Sequence, residues 1–190
     1  MKTKDICLRY VKTIGVYNNS EAGRGFANPV DLVVSRDGRI FVLNRGKYCR
    51  VGVCNLDEEY LYEFGSLGDD DGQFRLGSAI ALDNQENLYI ADEAHNRINV
   101  FDSSGIFLRK WGKPGSGDGQ FNGPSGLAFD SEGNVYVVDQ HNHRVQRFTQ
   151  EGHYLGQWGK HGNGDGQFNL PWGITLDSEG NVYVADWRND

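Results

Sequence analysis

The sequence is poor in several things at once. It has four prolines, three cysteines and one methionine among 190 residues. No apolar run approaches the ~18 residues that a membrane-spanning helix requires. With so few prolines and no glycine at every third place, a collagen-like chain is excluded. Cys7, Cys49 and Cys54 are odd in number and lack Cys-x-x-Cys spacing, so they read as ordinary reduced thiols. The charged opening Met1-Lys2-Thr3-Lys4-Asp5 leads into no apolar segment, so no secretory leader is expected and a cytoplasmic location is. Positive charge is short too: 19 Lys and Arg against 26 Asp and Glu leave a formal charge of −7. That balance repels a phosphate backbone, so nucleic acid is not an expected partner, and without a spanning segment neither is a membrane.

Catalytic motifs are missing as well. There is no Gly-x-Ser-x-Gly and no His-Glu-x-x-His, and the glycine-rich stretch 115–119 lacks the lysine of a phosphate-binding loop. Asp69-Asp70-Asp71-Gly72 has the look of a calcium loop, but Leu67 stands where its first Asp belongs and no Glu closes it. No metal, cofactor or catalytic residue is assigned from these segments.

What the chain has is glycine, 26 residues, about twice the ~7% average, and the glycine is periodic. Gly72-Gln73-Phe74, Gly119-Gln120-Phe121 and Gly166-Gln167-Phe168 recur 47 residues apart, with a weaker copy at Gly25-Phe26. Asp83, Asp130 and Asp177 keep the same phase, as do Asn87, Asn134 and Asn181, then Tyr89, Tyr136 and Tyr183, then Asp92, Asp139 and Asp186. Repeats of this length indicate stacked supersecondary units.

Within a unit the period is two. Residues 125–129, 135–138, 144–148 and 154–158 alternate or are β-branched and aromatic, and Asp130 to Asn134 supplies a turn with glycine in fourth place. Four short strands in each 40–50-residue unit describe a propeller blade, with essentially no helix.

The run Gly117-Asp118-Gly119-Gln120-Phe121, with Pro124 to Asp130 and Gly133 to Phe148, resembles the NHL repeat. The resemblance covers residues 23–190. It implies an all-β, NHL-type β-propeller with four-stranded antiparallel blades, in a family that builds six. On this reading the chain is one incomplete domain. A lone outer strand over 6–15 precedes blades at 23–65, 66–112 and 113–159, and half a blade follows at 160–190. Such an arc is expected to come from a longer chain and to self-associate. Blade 1 departs at Asn44, where the others carry Asp92 and Asp139, and blade 2 at Glu86 and Gly77, which replace the turn glycine and the proline.

The Asp and Arg of Asp92–Arg97 and Asp139–Arg144 recur in successive blades, so they are expected to be structural braces. The variable residues beside them mark a loop face: Arg45, Tyr48, Glu93, Gln140, His141, His143, Trp187 and Arg188. The first positions of the inner strands, Asp31, Ser78, Ser125 and Trp172, should open onto the same face. Three functions are consistent with the resemblance. The first is a non-enzymatic scaffold binding a protein or small ligand on this face. The second is a metal-dependent lyase or lactonase, for which Asp31 is the one candidate ligand at these positions. The third is an RNA-binding domain, which the charge of −7 opposes. The binding scaffold is the expected function.

Overall fold

The computed structural model describes residues 26–189. The strand expected over 6–15, and Cys7 with it, lie outside the described residues. Strands β1 (Pro29–Val34), β2 (Ile40–Asn44), β3 (Arg50–Cys54) and β4 (Tyr60–Phe64) form one antiparallel sheet in chain order. A second sheet comprises β5 (Gly77–Leu82), β6 (Leu88–Asp92), β7 (Arg97–Phe101) and β8 (Phe107–Trp111). A third comprises β9 (Pro124–Phe129), β10 (Val135–Asp139), β11 (Arg144–Phe148) and β12 (Tyr154–Trp158). Strands β13 (Pro171–Leu176) and β14 (Val182–Asp186) pair as a two-stranded sheet. The inner strands β1, β5, β9 and β13 follow one another around a common axis, each touching the next. Helix among the described residues is limited to two three-residue 3-10 turns, Gly46–Tyr48 and Gln140–Asn142. No helix there is long and apolar enough to cross a membrane.

The core lies between the sheets, because consecutive residues of a strand point to opposite faces. In β6, Leu88 and Ile90 pack toward the first sheet with Phe41, Leu43 and Val51. Tyr89 and Ala91 pack toward the third with Leu127, Val135 and Val137. Strands β6, β7 and β10 are therefore buried at every position, whereas the outer β8 alternates.

The glycine-glutamine-phenylalanine motif is a structural device. Phe74 and Phe121 are fully buried. The Gln120 Oε1 accepts the Gly117 N–H at 3.1 Å, and Gln167 does the same for Gly164 at 3.0 Å. Gly112, with φ of +98°, lies so close to Phe121 that a Cβ would stand 2.7 Å from the ring; Gly65 and Gly159 meet Phe74 and Phe168 in the same way. The repeated aspartates close turns. Asp130 accepts N–H groups of Glu132 and Asn134 at 3.0 and 2.8 Å and the Asn134 side chain as well.

Candidate functional site: the loop face

The inner strands begin with a β-bulge. Pairing with the second strand skips one residue in each sheet, namely Val30, Ser78, Ser125 and Trp172. A bulge re-aims its side chain out of the pleat. The Ser78 hydroxyl donates to the Pro124 carbonyl at 2.6 Å and Ser125 to the Trp172 carbonyl at 3.0 Å, so both are buried ties to the next sheet. Asp31, one place beyond its bulge, accepts the Ile80 N–H at 2.8 Å. Burial raises its carboxyl above the ordinary range, and the Ile80 and Leu32 N–H groups pull it back.

At the fourth bulge the residue is Trp172, 40% exposed. Its ring lies under the guanidinium of Arg45, 5.8 Å from Cζ to centroid. Arg45 in turn donates to the Gly77 carbonyl and to Glu93, both at 2.7 Å. Residues of the first, second and fourth sheets thus converge at one mouth. Trp187, 65% exposed, follows the end of β14, and Arg188 stacks over it at 5.5 Å. Trp172, Ala185, Asp186 and Trp187 line an open cleft of about 580 Å³. A second cleft, of about 200 Å³, runs along the inner strands past Asp31, Ser78 and Ser125 and shares Trp172.

The remaining candidates lie at the same end of the sheets with different surroundings. Gln140 is buried, and its N–H reaches the Gly123 carbonyl at 3.2 Å. His141 is exposed, its imidazole against the backbone of Gly123. His143 is half-buried and its Nδ1 accepts the Leu170 N–H. Tyr48 belongs to the Gly46–Tyr48 turn, and its side chain lies outside the described residues.

Beneath these side chains lie the paired Asp and Arg residues of the repeat. Asp139 is fully buried. One of its oxygens accepts the Asn122 N–H at 2.7 Å, and the other receives Arg144 Nε at 2.7 Å, Asn142 at 2.9 Å and Gln146 at 3.0 Å. Arg144 donates three further N–H groups, to the Gly117 and Gln120 carbonyls and to Gln157. Asp92 and Arg97 repeat the pattern more loosely, at 3.5 Å. Asp92 also holds His95 Nδ1 at 2.6 Å, and His95 Nε2 reaches Asp69 at 2.8 Å. Asp69 is paired with Arg75 and Asp71 with Lys110. Cys49 and Cys54 are free, buried thiols, and burial pushes both pKa values up. Among the described residues no three His, Cys, Asp or Glu side chains are grouped to hold a metal.

Two features escaped the sequence reading. The position of His95, Asn142 and Asn189 ties each aspartate to the loop entering its own sheet. The position of Asn96 and His143 ties each sheet to the next. Both positions keep the 47-residue phase, which was the available signal.

The profile of the NHL repeat matches residues 121–148 and 168–190. None of the curated proteins compared matches the chain. Solved structures do. Virginiamycin B lyase from Staphylococcus aureus is 18% identical with a TM-score of 0.63, over 84% of this chain and 49% of its own. A protein of unknown function from Bacteroides thetaiotaomicron is 18% identical with a TM-score of 0.69, over 83% and 44%. Hydrazine synthase from Kuenenia stuttgartiensis is 13% identical with a TM-score of 0.64, over 90% and 45%. The chain spans about half the length of these structures, and identities this low carry the fold alone. Repeat profile, sheet order and shared architecture together show a β-propeller fold that carries two matches to the NHL repeat.

Proposed function

We propose that the chain is a binding scaffold that presents the Arg45–Glu93–Trp172–Trp187 mouth to a protein or small ligand. The observation that carries this reading is the convergence of three sheets on Trp172, beside an open cleft walled by two exposed indoles. Trp and Arg are the side chains most often found at the energetic centre of an interface. The ion pair of Arg45 with Glu93 holds the guanidinium in place over the ring without ligand. Exposed indoles supported by a rigid sheet order little on binding, so contact there retains most of its free energy.

The test is selection of ligands from a peptide-display library on the folded chain, followed by titration against W172A and W187A. Each substitution should weaken binding about 30-fold, the equivalent of a ~2 kcal/mol hot spot. The melting temperature should stay close to the parent's. Ligands that bind both variants as tightly as the parent would place the binding surface elsewhere.

A further inference from the structure

Two side chains join neighbouring sheets by the same contact. Asn96 and His143 stand 47 residues apart, and both have a left-handed backbone with φ of 53°. Asn96 Oδ1 accepts the N–H of Gly123 at 2.8 Å, just before β9. His143 Nδ1 accepts the N–H of Leu170 at 3.1 Å, just before β13. An amide oxygen accepts at any ordinary pH. An imidazole nitrogen accepts only while it carries no proton.

We infer that the joint between the third sheet and the β13–β14 pair is a proton-operated latch, closed by neutral His143 and released on its protonation, while the Asn96 joint is indifferent to pH. The His143 ring packs against that of His161 at 4.5 Å between centroids, and His161 precedes β13. His141 approaches from the turn after β10. Burial comes first in holding the His143 pKa below its ordinary 6.5, followed by His161 and His141. Asp186 from β14 and the Phe168 carbonyl act in the opposite direction. A native value below the unfolded one stabilises the joint fully above about pH 6.5. That contribution is lost as the pH falls through the native value. Leu170 lies two residues before Trp172, so release acts on the wall of the cleft; that consequence alone rests on the proposed binding face.

Amide hydrogen exchange, followed by NMR on the chain without ligand, tests the latch. Between about pH 7.5 and 5.5 the protection factor of Leu170 should fall several-fold, while that of Gly123 holds within about twofold. His143→Asn should keep Leu170 protected at both pH values, and Asn96→His should make Gly123 pH-sensitive. Parallel loss at both amides, or pH sensitivity that persists in His143→Asn, would overturn the inference. Should the variants fail to fold, ring carbon shifts of His143 in the parent decide it. Their midpoint should coincide with that of the Leu170 amide shift, and separate midpoints would overturn the latch. No ligand enters the measurement, so failure of the latch and failure of the binding face are read separately.

Discussion

At the scale of single residues, chemistry separates the buried network from the exposed face. Arg144 and His141 are three positions apart in sequence and opposite in role. Arg144 is buried and donates to Asp139, Gln157 and two carbonyls. Arg144→Ala leaves the Asp139 carboxylate without its cation and should cost about 3–5 kcal/mol. His141→Ala, on the surface, should cost under about 0.5 kcal/mol. Urea denaturation measures both, and equal shifts in midpoint would contradict the assignment. Asn99 offers the opposite sign. Its equivalent Gln146 reaches Asp139 and the Gln120 carbonyl and accepts the Gly119 N–H. Asn99 is one methylene shorter, fully buried, and neither amide atom has a partner. Asn99→Gln should therefore stabilise by about 1–2 kcal/mol, seen as a raised melting temperature.

At the scale of the strand and its turn, one glycine per repeat determines whether the sheet can seat its neighbour's phenylalanine. Gly112 closes β8 at φ of +98°, and the fully buried Phe121 ring fills the place of the missing side chain. Gly112→Ala combines an unfavourable left-handed backbone with displacement of a packed ring, together about 2–4 kcal/mol. Loss of near-ultraviolet circular dichroism at lower temperature than in the parent would register it. Unchanged melting would mean that Phe121 repacks freely. Strand order and turn positions were legible at this scale. The four strands read from residues 125–158 are observed as β9 to β12, because hydrophobic alternation and turn chemistry act over a few residues. Glu86 marks the limit of local rules: it occupies a glycine's place at φ of +63° and accepts the Arg36 N–H of the neighbouring sheet at 2.7 Å.

At the scale of the whole molecule, the two ends of the arc differ from its middle. Leu32 and Val34 on β1, and Tyr183 on β14, are exposed, whereas Ile80 and Leu82 of the inner strand β5, and Tyr89 of β6 and Tyr136 of β10, are packed against neighbouring sheets. Contiguous apolar surface of this kind drives association. The 190-residue chain is therefore expected to self-associate, and light scattering coupled to gel filtration should show mass rising with concentration. Leu32→Glu should lower that tendency, and a monodisperse monomer at every concentration would contradict it.

The sequence alone determined the repeat, its four strands, and the Asp, Asn, Gln and Gly that make each turn, since these obey rules of spacing and local hydrogen bonding. It also marked which positions vary between repeats, and so where a face should be sought. It did not determine what those variable residues do. Ser78 and Ser125 share a phase with Trp172, yet the serines are short enough to be buried as ties and the indole is not. Arg45 finds Glu93 and Trp172, 48 and 127 residues away, only because the sheets curve around one axis. Whether His143 is a surface imidazole or a latch rests on where β13 begins. Such outcomes depend on contacts between distant segments, and only the packing of one sheet against the next decides them.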